Sequence, residues 1–202
     1  MSNVEYRNEF ACLAYDTTYK FWQTFELPIA RTWIDACSTG IRLAANLIEE
    51  EYKELINAKD NLAELDAFCD LLYVTAGAMH ALGYGRYLVF SRPESEAFAG
   101  TVSEIIGLLR APGVLCHRRL EVAIPEAIHF IITAGTKRYP KLRAAYQAVH
   151  ANNMSKLWCF KPPDDKTLTV KPKGDKFLVR RVADGKVLKP ADFKPVDLAA
   201  FL

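Results

Sequence analysis

Between residues 49 and 70 the chain carries Glu49, Glu50, Glu51 and Glu54, then Glu64, Asp66 and Asp70. At about 100° per residue, Glu50 and Glu54 fall about 40° apart on one helix face, with Glu51 beside them. Asp66 and Asp70 share a face by the same i,i+4 spacing. Lys59, Asp60 and Asn61 form a short polar break, so helices on either side of it run antiparallel as neighbours. Positions equidistant from the break then stand at equal height, with Glu54 opposite Asp66 and Glu50 opposite Asp70. At an axis separation of about 8–10 Å, carboxylates from both helices reach one or two ions between them. Crowded carboxylates must be protonated, turned into solvent or bridged by a cation. An all-oxygen set without His or Cys suits Mg²⁺, with Mn²⁺ as substitute, rather than Zn²⁺. The competing reading is a solvated acidic face paired with Lys53 and Lys59. A solvated face, however, has no need to repeat itself across the partner helix.

The elements that must hold these acids are helical. Apolar residues at helical spacing predict a helix over 5–25, ended by Leu27 and Pro28. A second helix is expected over about 31–58, its inner stripe including Trp33, Ile41, Leu43, Leu47, Ile48 and Leu55. A third is expected over 62–82, stopped by Gly83 and Gly85. Further helices are expected over 94–109, 114–134 with Pro125 as a break or new start, and 141–150. The last 45 residues differ, with five of the ten prolines and alternating stretches at 167–170 and 177–179. Asp184-Gly185 is a hairpin-turn signal there. The expectation is therefore an all-α protein: a helical domain over 1–157, then a short C-terminal β-hairpin and extended arm over 158–202. The arm holds ten Lys and Arg against six Asp, which reads as a solvated basic tail in preference to an anion site.

Composition narrows the rest. Half of the 202 residues are hydrophobic and a quarter charged, as in ordinary globular proteins. A net charge of +2 gives no mandate for nucleic acid or a membrane surface. No apolar run approaches a membrane span of about 20 residues. The first ten residues carry acids and no apolar core, unlike a signal peptide. Five scattered cysteines, odd in number and without CxxC spacing, suggest neither disulfides nor zinc. A cytoplasmic location fits best.

These residues resemble a known signature. Glu50, Glu51 and Glu54 form EExxE, and Asp70 opens a following Asp-Leu-Leu-Tyr-Val run. The pair is similar to that of the all-α NTP pyrophosphohydrolases, which include MazG-like enzymes, dimeric dUTPases and phosphoribosyl-ATP pyrophosphohydrolases. The segment from Phe21 to Pro28 resembles the FHxxFGLP stretch ending the first helix of some members. Val149 to Lys156, containing NMSK, and Asp184 to Pro190 resemble the closing motifs of a phage-type, phosphoribosyl-ATP-pyrophosphohydrolase-like branch. Two departures stand out. Many members carry ExxD on the second acidic helix, where this chain has Ala67 and Asp70, with Asp66 one residue earlier. Residues 86–136 also make a longer separation than relatives need, and read as an inserted pair of helices shaping a base pocket or an oligomer interface.

The resemblance implies a four-helix-bundle core and hydrolysis of a (d)NTP to a (d)NMP and pyrophosphate. The implied substrate is a deoxynucleotide such as dGTP or dUTP. It further implies Mg²⁺ on Glu50, Glu51, Glu54, Asp66 and Asp70, with Glu51, ahead of Glu50, as the group that orients or deprotonates water. Lys156 would meet phosphate charge, with Lys53, Arg42 and Arg31 as weaker candidates. Asn153 would bond sugar or base, or merely cap a helix. Trp22 would stack on a base or pack in the core, and Phe21 reads as core. A homodimer or homotetramer is expected, nucleic acid is not. Three other readings stay open. One is a carboxylate-bridged di-iron bundle, for which Glu126 and His129 supply a single Glu-x-x-His. Another is a helical interaction module acting through its basic tail. The third is a relative that binds nucleotides without cleaving them, which Ala67 keeps open.

Overall fold

The computed structural model describes residues 2–89, 98–111, 114–162 and 164–202. Helix α1 (Asn3–Thr24) begins with a capping box in which Ser2 and Glu5 satisfy each other's backbone N–H groups. It ends at Phe25, and Glu26 then takes a left-handed backbone (φ 50°) that turns the chain away from the helix axis. Helix α2 (Ser38–Ile56) and helix α3 (Asn61–Leu82) form the acidic hairpin, and the Asp60 side chain caps α3 by accepting from the Ala63 N–H at 2.9 Å. Gly83 closes α3 at φ 70°, and any side chain there would lie 2.5 Å from the Thr32 backbone. Helices α4 (Phe98–Arg110), α5 (Val114–Arg138) and α6 (Leu142–Met154) follow.

Helix α3 is the centre of the molecule. From Leu65 to Leu82 nearly every residue is buried, and it packs against α1, α2, α5 and α6. That explains why its apolar positions run all the way round rather than along one stripe. The described residues between 86 and 136 add to the same core. Val102, Ile105, Leu120, Ile124, Ile128 and Ile131 join one continuous cluster with α1 and α3. No helix among the described residues is long and apolar enough to cross a membrane. The fold is therefore predominantly helical with one small sheet.

Three features differ from the sequence reading. The second helix starts at Ser38, not near residue 31. Its cap is the Cys37 sulfur, which accepts from the Gly40 N–H at 3.3 Å. Trp33 lies outside it, in a 3-10 turn over Trp33–Asp35, stacked on His117 at 4.5 Å and 38% exposed. Pro125 neither breaks nor restarts α5, because buried Ala123, Ile124, Ala127 and Ile128 hold the helix straight through it. Helix α6 runs on to Met154, which puts Asn153 in its last turn. Residues 94–97 of the expected fourth helix lie outside the described residues.

The C-terminal arm is folded onto the body, which overturns its reading as a solvated tail. Strands β1 (Leu168–Lys173) and β2 (Lys176–Arg181) pair antiparallel, Val170 opposite Val179. The hairpin turns at Gly174 (φ 63°), not at Asp184-Gly185. The latter makes a second tight turn that brings Val187 back beside Arg180. Leu178, Val179 and Leu198 are buried, each worth about 1.5–3 kcal/mol of apolar burial. Lys171 and Lys173 pair with the Glu26 carboxylate, and the Arg180 guanidinium donates to the Glu26 carbonyl at 2.8 Å. Lys171, Lys173 and Arg180 are thus spent on contacts with the end of α1.

Candidate active site

One pocket of about 280 Å³ gathers side chains from five parts of the chain. Glu50, Glu51 and Glu54 enter from α2, and Asp66 and Asp70 from α3. The i,i+4 spacing on each helix brings all five to the same seam. Asn153 and Lys156 enter from the end of α6, and Lys186 and Lys189 from the turn after β2. Phe21, Trp22, Leu27, Leu43, Tyr73 and Phe193 are among the apolar lining. None of the four histidines lines it.

Acidic and basic side chains share this space. Glu50 is half-exposed and takes Lys186 Nζ at 2.8 Å on Oε1 and 2.6 Å on Oε2. Burial pushes the Glu51 carboxyl up to about 8, reinforced by the negative charges of Asp70, Glu54 and Glu50 in that order. Burial likewise lifts Asp70 to about 6, with Asp66 adding to the effect and Lys156 and Lys189 opposing it. Partial desolvation also raises Asp66. Burial brings Lys156 down to about 8 against the pull of Asp70 and Glu51, and its ammonium stands 5.8 Å from the centre of the Phe21 ring. The acids are therefore short of positive charge even with three lysines lining the same pocket.

Several sequence candidates fall elsewhere. Lys53 pairs with Glu49 at 2.9 Å, which Arg110 also contacts, and Lys53 does not line the pocket. Arg42 and Arg31 are exposed and outside it. Trp22 is 4% exposed, packed over Gly77, where a Cβ would lie 2.9 Å from its Nε1. Only part of the indole borders the pocket, so packing and lining are both served. No residue of 86–136 lines the pocket among those described. Ala67 is buried in the α3 interior while Asp66 opens on the pocket. His129 is a core histidine bonded to the Val89 carbonyl at 2.7 Å, which removes the half-motif for iron.

Lys186, Lys189, Phe193 and Tyr73 were missed as lining residues. A signal existed for the first two: they sit inside the Asp184 to Pro190 motif, yet the basic composition of the arm argued for solvent. The donor set fits a hard divalent cation, being all carboxylate, crowded and short of positive charge. In the present side-chain arrangement no three acidic, His or Cys groups among the described residues converge on one ion position, and Glu50 is turned to Lys186.

Residues 18–86 match the family model described as phosphoribosyl-ATP pyrophosphohydrolase. The matched segment runs from the end of α1 through α3 and holds all five carboxylates, Trp22 and Tyr73. The helical hairpin is therefore similar to a family of nucleotide pyrophosphohydrolases, within the MazG-like all-α group that the motifs resembled. It does not extend to α6 or to the arm that bears Lys156, Lys186 and Lys189. No curated protein and no solved structure matches the chain.

Proposed function

We propose that the protein is a Mg²⁺-dependent nucleoside triphosphate pyrophosphohydrolase, converting a (d)NTP and water to a (d)NMP and pyrophosphate. The observation that carries this reading is the pocket itself: five carboxylates from α2 and α3, three lysines from the end of α6 and the arm, and aromatic and aliphatic side chains line one space. A metal-bound triphosphate has the matching layout of cation, polyanion and flat base.

Glu50, Glu51, Glu54, Asp66 and Asp70 would hold Mg²⁺ or Mn²⁺. When bound, the ions neutralise phosphate charge and lower the pKa of a water molecule. Glu51, the least exposed carboxylate of the α2 trio and pushed up to about 8 chiefly by burial, would orient the attacking water and accept its proton. The water oxygen bonds to the α-phosphorus while the α–β bridging bond breaks, and its electron pair leaves with pyrophosphate. Lys156 meets charge on the phosphates, and Asn153, 7% exposed, offers its amide to sugar or base. Phe21, Trp22 and Tyr73 supply the flat apolar surface for the base. No nucleophilic side chain is needed, because phosphoryl chemistry rests on positioning and charge.

A deoxynucleotide such as dGTP or dUTP is the proposed substrate, and a homodimer or homotetramer the proposed assembly, checked by light scattering. The deciding experiment offers a panel of ribo- and deoxynucleoside triphosphates, including dUTP, and measures pyrophosphate release. Mg²⁺-dependent release from at least one member is expected. Absence of turnover on all of them, with Mg²⁺ or Mn²⁺, overturns the reading.

A further inference from the structure

The turn after β2 is too well fastened to be a passive tail. The Arg181 guanidinium clasps the Asp184 carboxylate, which also accepts from the Lys186 N–H at 3.1 Å. The Gly185 N–H reaches the Arg181 carbonyl at 2.8 Å, and the Arg181 N–H reaches the Lys186 carbonyl at 2.9 Å. One residue pair further on, the Leu188 N–H bonds to the Val179 carbonyl at 3.0 Å, and the Leu188 carbonyl accepts from the Trp158 indole at 2.9 Å. These bonds fix the backbone on both sides of Lys186 and just before Lys189. Both lysines then point into a pocket whose other wall belongs to residues more than a hundred positions earlier.

We propose that this turn is the phosphate-binding half of the site, with Lys186 and Lys189 holding the triphosphate and Lys186 leaving Glu50 for a phosphate oxygen as a divalent ion takes its place on that carboxylate. The inference rests on the reading of the pocket as a triphosphate site. Lys186 is chemically suited to the exchange, since an ammonium contacts carboxylate and phosphate oxygens alike as a point charge. Its side chain is 32% exposed and that of Glu50 47%, so the pair is open to solvent and readily broken. Lys189 stands 5.1 Å from the Phe193 ring centre, and Asp66 and Asp70 feel its charge. The free chain thus carries its own counter-ion on the acid wall, and the loaded site passes that charge to the ligand.

The test separates metal from ligand. Mn²⁺ alone is titrated by electron paramagnetic resonance, and α,β-imido-dGTP and α,β-imido-dUTP are titrated calorimetrically with Mg²⁺ present. For Lys186→Met the imido-nucleotide is expected to weaken at least about tenfold, the loss of one charged contact, while Mn²⁺ alone binds equally or more tightly. Lys186→Arg keeps nucleotide binding, and Lys189→Met weakens the nucleotide without disturbing Mn²⁺. Lys189→Met also serves if Lys186→Met fails to fold. Wild-type nucleotide affinity in both Met variants overturns this inference and leaves the pyrophosphohydrolase reading standing. Equal loss of Mn²⁺ and nucleotide also overturns it, because the lysines would then be structural. A wild-type protein that binds neither imido-nucleotide overturns this inference and the choice of dGTP or dUTP as substrate, whereas the pyrophosphohydrolase reading falls only if the whole nucleotide panel gives no turnover.

Discussion

Glu51 on α2 feels Asp70 on α3 more than any other charge around it, including Glu50 and Glu54 of its own helix. The cross-helix pairing is thus tighter between 51 and 70 than the equal-height relation of Glu50 with Asp70 suggests. Both carboxyls sit above the usual carboxylate range, at about 8 and about 6. The folded chain therefore keeps protons that the unfolded chain has already released. Their stabilising effect is complete at acid pH and is lost as pH rises through about 6 and then about 8.

Without divalent ions, the Tm should fall between pH 5 and pH 8. Discounted for solvent at the pocket mouth, the loss is about 2 kcal/mol, or roughly 4–8 °C. Lys156, depressed to about 8, acts in the opposite direction only above that pH, where deprotonation in the folded state favours it. Thermal melts in EDTA across this range measure the slope, and Mg²⁺ should flatten it. A flat profile in EDTA would contradict the raised carboxyls.

Glu51→Gln separates catalysis from folding. Removing the proton acceptor should lower kcat by about 10²–10⁴-fold. The same change removes a buried like charge, so the metal-free protein at pH 8 should melt about 3 °C higher or more. A variant that is both inactive and less stable would assign Glu51 a packing role instead.

Lys156→Met should lower kcat/KM by about 10–100-fold, as expected for one lost charged contact to phosphate. The apolar stem keeps its place near Phe21, so the melting temperature should barely move. Steady-state kinetics on the best substrate from the panel provides the check.

Arg180→Ala tests how the arm is held. It deletes the donor to the Glu26 carbonyl, at a cost of about 1–2 kcal/mol. Tryptic cleavage after Lys166 should accelerate severalfold while helical circular dichroism stays unchanged. Unaltered cleavage would mean that Lys171 and Lys173 on Glu26 suffice.

The acidic hairpin was legible because its determinants are local. Two i,i+4 pairs, a capping Asp60 and a short break fix the relation of α2 to α3 within some twenty residues. Residues 33–37 misled because Trp33 and Ile34 continue the apolar spacing, while the actual start depends on a thiol cap at Cys37. Pro125 misled because its tolerance comes from burial on α5's inner face. The two turn signals in the arm, Gly174-Asp175 and Asp184-Gly185, look alike locally, and only strand pairing decides between them. The hardest feature to read was the destination of the basic residues. Lys171 with Glu26, and Lys186 with Glu50, are contacts over more than a hundred residues, and no local pattern encodes them.

That separation has a consequence for synthesis. The acidic hairpin leaves the ribosome over a hundred residues ahead of Lys186 and Lys189. At about 5–20 residues per second, the nascent helices spend roughly 6–20 s with their carboxylates unmatched by the lysines that later face them. During that interval protons and dissolved cations are the available neutralising charge.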